Sequence, residues 1–170
     1  MTKCGATVGS KIEGLEIISF SKVFLTDNGE IVFSAIVSGY TEVIFKDDRV
    51  LVKDGDVIGG RPIRSLTLRS VSKQGHAVFV ANIDEKTNGL FTLDGLVATG
   101  GDLINGRTYN EWISPVVNSK GDVAFIGMGA AASEVYSYAV VLASPSVAVA
   151  SAAGQPSAQA ATPTKSSFKL

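Results

Sequence analysis

Few residues of this chain have the types and spacing that catalysis would need. His76 is the only histidine in 170 residues, so acid–base or Ser-His-Asp chemistry would have to use it. Forty-six residues away on either side stand Glu30 and Asp122, which indicates a position that favours a polar, solvent-facing residue. Cys4 has no histidine near it in the sequence to activate a thiol nucleophile. We therefore expect no catalytic residue and a protein that is not an enzyme.

Two patterns could bind ions, and both have a simpler explanation. Acidic side chains stand in small groups that could offer oxygen ligands to calcium, but they lack the dense alternation of an EF-hand loop. Glycine-rich segments at 55–60 and 99–106 could approach a phosphate, but no Gly-Lys-Ser/Thr sequence follows either of them. Because Asp-Gly pairs are ordinary turn residues, we interpret both patterns as turns and expect no metal and no cofactor. The acidic residues concerned are Asp47, Asp48, Asp54, Asp56, Asp94 and Asp102.

Composition limits the partners that the chain can have. Hydrophobic residues make up 45% of the chain and charged residues 18%, which is enough apolar material for one compact domain. The net charge of −1 gives no positive field to attract a phosphate backbone, so we expect no nucleic-acid partner. No apolar stretch approaches the roughly eighteen residues of a spanning helix, and no signal-peptide pattern is present, so we expect a soluble form without a membrane span. Such a form would be cytoplasmic or, if a leader had been removed, periplasmic or extracellular. A soluble form is also compatible with peripheral contact with a membrane complex.

The clearest pattern in the chain is an internal repeat with a period of forty-six residues. Residues 14–59 align without a gap on residues 60–105, and thirteen of these positions are identical. A third copy begins at Gly106, keeps Gly121 and Phe125, and then diverges. Self-similarity with a period of roughly 20 to 50 residues indicates stacked supersecondary units that cannot bury an apolar face alone.

Each copy is predicted to consist of four β-strands. In copy two the runs SLTLRSV, HAVFVANI, GLFTL and LVAT are rich in β-branched and aromatic residues, and turn-forming residues separate them. No segment before residue 144 has an apolar stripe at helical spacing. We therefore predict an all-β protein of three tandem four-stranded antiparallel β repeats, 14–59, 60–105 and 106–143. The third copy lacks a fourth strand of its own, and an N-terminal strand at 4–10 is the candidate to complete it.

One phenylalanine recurs in every copy. Phe33, Phe79 and Phe125 each follow a turn glycine by four residues. Because side chains alternate across a strand, we expect these rings on the buried face, where each contributes about 1.5–3 kcal/mol. They are the predicted structural core, gathered either near a pseudosymmetry axis or along a stack of sheets.

The motifs DNGEIVF, KQGHAVF and SKGDVAF, followed in the first two copies by Asp-Gly and Gly-Asp pairs, have a known counterpart. They resemble the β-propeller-like repeats of similar length in certain secreted or surface-associated bacterial proteins. The resemblance covers about residues 14–130 and implies propeller-blade-like units that carry no catalytic residues. Three blades are few for one ring, which leaves two arrangements open: two chains that complete a six-bladed ring, or a β-trefoil within one chain.

A change of composition near residue 144 separates a β-repeat domain, 1–143, from a tail, 144–170. The tail is rich in Ala, Ser and Pro, and Lys165 and Lys169 are its only charged side chains. Because it has almost no large apolar residue to anchor a core, it is predicted to be a linker or a docking segment that lies on a partner.

Two loops between copies carry the candidate binding residues. Arg and Tyr are enriched in binding hot spots, although ordinary solvated loops would explain the same residues. Without catalytic residues, the sequence favours a non-enzymatic structural or accessory subunit, a scaffold whose partners are other protein subunits or further copies of itself. A lectin-like module that binds a glycan or a small ligand is the alternative, with Trp112 and Tyr109 as its candidate aromatic residues. The candidate binding residues are Arg61, Arg64, Arg107, Tyr109 and Asn110.

Overall fold

The computed structural model describes residues 6–39, 41–104, 107–130, 136–143 and 165–167, and every regular element in these ranges is a β-strand. The strands form antiparallel sheets, and one of these curls into a half-barrel. The prediction of an all-β protein is confirmed. The strands are β1 (Lys11–Ile12), β2 (Leu15–Leu25), β3 (Ile31–Val37), β4 (Thr41–Lys46), β5 (Arg49–Val52), β6 (Val57–Ile58), β7 (Arg61–Pro62), β8 (Arg64–Val71), β9 (Ala77–Asn82), β10 (Asn88–Thr92), β11 (Gly95–Thr99), β12 (Asp102–Ile104), β13 (Arg107–Tyr109), β14 (Glu111–Val117), β15 (Val123–Ala130), β16 (Tyr136–Ala143) and β17 (Lys165–Ser167).

Three larger sheets hold most of these strands. Sheet one has the order β1-β2-β3-β4-β5, sheet two the order β8-β9-β10-β11, and sheet three the order β14-β15-β16-β17. Two short hairpins, β6–β7 and β12–β13, precede sheets two and three. Apart from β1 and β17, each larger sheet is built from one copy of the sequence repeat.

The turn before each recurring phenylalanine is built in the same way in all three sheets. The turns are residues 26–30, 72–76 and 118–122. In each, the backbone N–H of the fifth residue donates to the side-chain oxygen of the first residue, at 3.1, 3.1 and 3.0 Å respectively. The fourth residue is a glycine with φ of 76°, 90° and 86°, a region that glycine adopts without steric cost. The repeated polar-polar-Gly pattern therefore has a local cause, because the glycine reverses the chain and the first residue holds the turn closed.

Sheet two packs on sheet one through its phenylalanine face, the face that carries Phe79. The rings of Phe79 and Phe91 stack with 5.7 Å between their centroids. They share one apolar cluster with Val32 and Ile44, which point from the opposite face of sheet one. All four side chains are fully buried.

Sheet two packs on sheet three through the side that does not carry Phe79. In every sheet we call the side without the recurring phenylalanine the opposite face. Val78 and Leu90 of that face are fully buried. They share a second cluster with Phe125 and Trp112, which lie on the phenylalanine face of sheet three. The same kind of contact therefore occurs twice: the opposite face of one sheet covers the phenylalanine face of the next.

The recurring phenylalanines lie along a stack of sheets and do not gather at one axis. Phe33, Phe79 and Phe125 are 3%, 0% and 2% exposed, and they belong to three separate apolar clusters. The third cluster, around Phe33, lies within sheet one and includes Ile17, while Ala6 packs against it from outside the strands.

The fourth strand of sheet three comes from the tail and not from the N-terminus. β17 pairs antiparallel with β16, whereas the most N-terminal described strand, β1, pairs with β2 in sheet one. The predicted completion by residues 4–10 is therefore wrong as far as residues 6–10 are described, because the edge of β16 is already occupied. The rest of the predicted tail, 144–164 and 168–170, lies outside the described residues.

Candidate interaction surfaces

The five residues predicted to bind a partner differ in their surroundings. Arg61 of β7, Arg64 of β8 and Asn110 are exposed, while the side chain of Arg107 lies outside the described part of the chain. Tyr109 is only 2% exposed and belongs to the cluster between sheets two and three. The prediction is thus corrected for Tyr109, which is a core residue and is not available to a partner.

The burial of Tyr109 follows from its place in the repeat. Ile17 and Ile63 occupy the same position in the two earlier copies and are 1% and 0% exposed. The larger ring of Tyr109 fits because Gly127 lies beside it: a Cβ at Gly127 would stand 2.9 Å from Cδ1 of Tyr109. The two isoleucines were the signal in the sequence that could have assigned Tyr109 to the core.

Arg64 has an acidic neighbour close to its own sheet. The backbone N–H of Lys86, hydrogen bonds from Thr87 and the positive charge of Arg64 hold the pKa of Asp84 below its usual value. The two backbone donors lie 2.9 and 2.8 Å from the Asp84 carboxylate. Because Asp84 is exposed, solvent screens its attraction to Arg64, which is itself exposed at the start of β8.

Acidic residues that could have bound calcium hold turns instead. Asp56 accepts a hydrogen bond from the backbone N–H of Lys53 at 2.9 Å. Asp102 accepts two from Thr99, one from its backbone N–H at 2.9 Å and one from its hydroxyl at 2.7 Å. Among the described residues, no group of three or more potential ligands could hold a metal ion.

The remaining candidates for chemistry or sugar binding are His76, Trp112, Tyr109 and Cys4. His76 is half-buried in the turn 72–76, and its backbone N–H donates to Ser72. Trp112 is 6% exposed and packs edge-on against Phe125, with 5.4 Å between the ring centroids. Trp112 and Tyr109 are both buried, so neither aromatic residue considered for a lectin-like site reaches the surface. Cys4 lies outside the described residues.

Sheet one exposes a row of large apolar side chains on its phenylalanine face. Phe20, Val23 and Leu25 of β2 are 46%, 71% and 72% exposed. They pair with Ala35, Phe33 and Ile31 of β3, which are alternate residues of that strand. All three therefore lie on the same side of the sheet as Phe33. A groove of about 320 Å³ runs beside them, and Lys22 is the charged residue that lines it. We call this surface the Phe20 face.

Most of the corresponding residues of sheets two and three are covered by a neighbouring sheet. Leu66 stands in the place of Phe20 and is 2% exposed, and Trp112 stands there in the third copy. The β2 row of sheet one is thus exposed, although Phe33 and Phe45 on the same face are buried. Leu66 and Leu68 of sheet two and Trp112 and Pro115 of sheet three are buried, and Val71 and Val117 are partly buried. Arg69, which stands forty-six residues after Val23, is exposed.

Sheet three exposes a second apolar surface, on its opposite face. Ile113, Val116, Tyr138 and Val140 are 36%, 54%, 58% and 50% exposed. Their register partners on β15 are the alternate residues Ala124, Ile126 and Met128. The four side chains therefore share one side of the sheet. We call this surface the Val140 face.

The Val140 face also has covered counterparts inside the stack. Ile44 pairs with position 34 of β3, Leu90 with position 80 of β9 and Val140 with position 126 of β15. The partner positions 34, 80 and 126 are equivalent in the forty-six-residue repeat, so the three aliphatic residues share one register position. Ile44 and Leu90 are 0% exposed because the next sheet covers them, whereas Val140 is half exposed. The two kinds of face in the recurring sheet contact therefore each carry exposed apolar residues at one end of the stack.

The fold and these surfaces define an all-β protein of stacked antiparallel sheets with an apolar face at each end. No protein-family model, no curated protein and no solved structure matches the chain. The described residues include no helix that is long and apolar enough to cross a bilayer.

Proposed function

We propose that the chain is a non-enzymatic structural or accessory subunit, a protein-interaction scaffold built from propeller-blade-like units. The observation that carries the proposal is the pair of exposed apolar surfaces, the Phe20 face and the Val140 face. Monomeric soluble proteins rarely expose large contiguous apolar patches, and such patches commonly mark contacts with other proteins. The body would dock on a larger assembly through these faces, and the tail would lie on a partner.

The expected binding energies favour docking through these two faces over docking through Arg61 and Arg64. A partner would cover three or four large apolar residues on either face, and each contributes about 1.5–3 kcal/mol when it is fully buried. Exposed ion pairs such as those open to Arg61 and Arg64 contribute about 0–1 kcal/mol. The apolar faces are therefore the expected hot spots, and the arginines would lie at the rim.

Native purification of the tagged chain from its source cells, followed by quantitative mass spectrometry, tests this proposal. We expect Phe20→Arg or Val140→Arg to remove at least one partner that the unaltered chain retains, because a charge would have to be buried at the contact. Leu103→Arg is the matched control, since Leu103 is an apolar residue 71% exposed in β12, outside both faces.

Two results would count against the scaffold. An unchanged partner profile in both face variants would mean that neither face binds a protein. A reproducible signal on a glycan array, kept in both variants, would favour the lectin-like alternative.

A further inference from the structure

We infer that the Phe20 face of one copy of the chain binds the Val140 face of a second copy, so that copies associate head to tail. This inference rests on the proposed function and names the partner of the two faces. It starts from the contact that the chain makes twice within itself, between sheets one and two and between sheets two and three.

Both internal contacts have the same two sides. The phenylalanine face of the later sheet supplies a ring pair or a ring and an indole: Phe79 with Phe91, and Phe125 with Trp112. The opposite face of the earlier sheet supplies aliphatic side chains, led by Ile44 or Leu90. In both contacts, a side with aromatic rings meets a side led by aliphatic residues.

The two ends of the stack carry one unused side each. On the phenylalanine face of sheet one, the rings of Phe33 and Phe45 stack at 5.1 Å, as Phe79 and Phe91 do at 5.7 Å. Both rings are already buried within sheet one, so the side chains that this face offers to a partner are the exposed Phe20, Val23 and Leu25 of β2. Phe20 tilts against Phe33 at 5.7 Å, which resembles the Trp112–Phe125 contact at 5.4 Å.

On the Val140 face, Val140 holds the position of Ile44 and Leu90, and Ile113 and Val116 extend the same apolar surface. The exposed Glu111 shares the Val140 face through its register partner Met128.

These observations favour a second copy over an unrelated partner. An unrelated protein would need an apolar face of its own, whereas this chain already carries the kind of face that covers its phenylalanine faces. If two Val140 faces paired, two aliphatic faces of the same kind would meet. Neither internal contact uses that arrangement. A head-to-tail contact is heterologous, so it either closes into a ring of copies or continues into a longer assembly.

Sedimentation velocity of the full chain over a wide concentration range tests the inference, with light scattering to give the mass. We expect the unaltered chain to exceed the monomer mass as the concentration rises. Phe20→Arg alone and Val140→Arg alone should each weaken the association by about 30-fold or more, the loss typical of a hot-spot residue. An equimolar mixture of the two variants should form a heterodimer, because each variant keeps the face that the other has lost.

A second pair, Val23→Arg and Val116→Arg, should repeat this behaviour, and Leu103→Arg should associate like the unaltered chain. Thermal unfolding of each variant establishes that it is folded, which we expect because the substituted residues are 46–71% exposed.

Several outcomes would overturn the inference. A chain that stays monomeric at every concentration, a mixture that does not recombine, or a loss of association in Val140→Arg without a loss in Phe20→Arg would each contradict a head-to-tail contact. If the chain is monomeric but the face variants still lose partners in the native purification, only the self-association fails. If neither assay responds to the face variants, the proposed function fails as well.

Discussion

Replacing Phe79 by alanine is expected to lower the free energy of unfolding by about 3–5 kcal/mol, the usual cost of removing a fully buried ring. Phe79 is 0% exposed, its ring stacks on Phe91, and it lies in the cluster that joins sheets one and two. Loss of the ring would leave a cavity at that junction. Urea unfolding followed by circular dichroism measures the change from the shift of the midpoint.

Phe20→Ala is the matched control, because it removes the same ring from a position where no described sheet covers it. Phe20 is 46% exposed, so its removal should cost only about 1 kcal/mol, roughly half the transfer energy of a buried ring. Both variants should be measured at a concentration where the chain is monomeric, since association would add to the cost of losing Phe20. Equal losses for the two variants would mean that Phe79 is not enclosed between two sheets.

Gly129→Ala is expected to cost about 3 kcal/mol or more, because the new Cβ would meet a backbone atom and not a movable side chain. At Gly129 the Cβ would collide with the carbonyl oxygen of Thr108 in β13. The short hairpin β12–β13 would have to lift away from β15. Urea unfolding gives the cost, and amide hydrogen exchange should show faster exchange in the residues of β13.

Gly127→Ala is the graded control on the same strand. Its Cβ would meet the ring of Tyr109, which can tilt, so a smaller loss of about 1–2 kcal/mol is expected. If Gly129→Ala is tolerated as well as Gly127→Ala, then β13 does not lie against β15 as described. In the earlier copies the equivalents of Gly129 are Val37 and Ile83, so the close approach of the hairpin is particular to the third copy.

The elements that depend on neighbours in the sequence could be predicted. Turn glycines such as Gly75 need a positive φ, and the polar residue three positions before each of them closes the turn, so the pattern is readable from the chain alone. The burial of Phe79 followed in the same way, because alternation along a strand places every second side chain on one face.

The features that depend on distant segments could not be predicted. Phe20, Leu66 and Trp112 hold one position in three copies, yet their exposure differs because a second sheet covers only the last two. The pairing of β17 with β16 joins segments separated by more than twenty residues, and nothing in the composition of the tail marks Lys165–Ser167 as a strand. The two end faces were missed for the same reason, because a pattern of apolar residues does not reveal which faces remain uncovered.

The stacking of three equivalent sheets is tested most directly by nuclear Overhauser contacts between methyl and aromatic protons in an isotope-labelled sample. We predict contacts from Val32 and Ile44 methyl groups to the rings of Phe79 or Phe91, and from Leu90 methyl groups to Phe125 or Trp112. Contacts that join the rings of Phe33, Phe79 and Phe125 to one another would place them at a common axis and would contradict the stack.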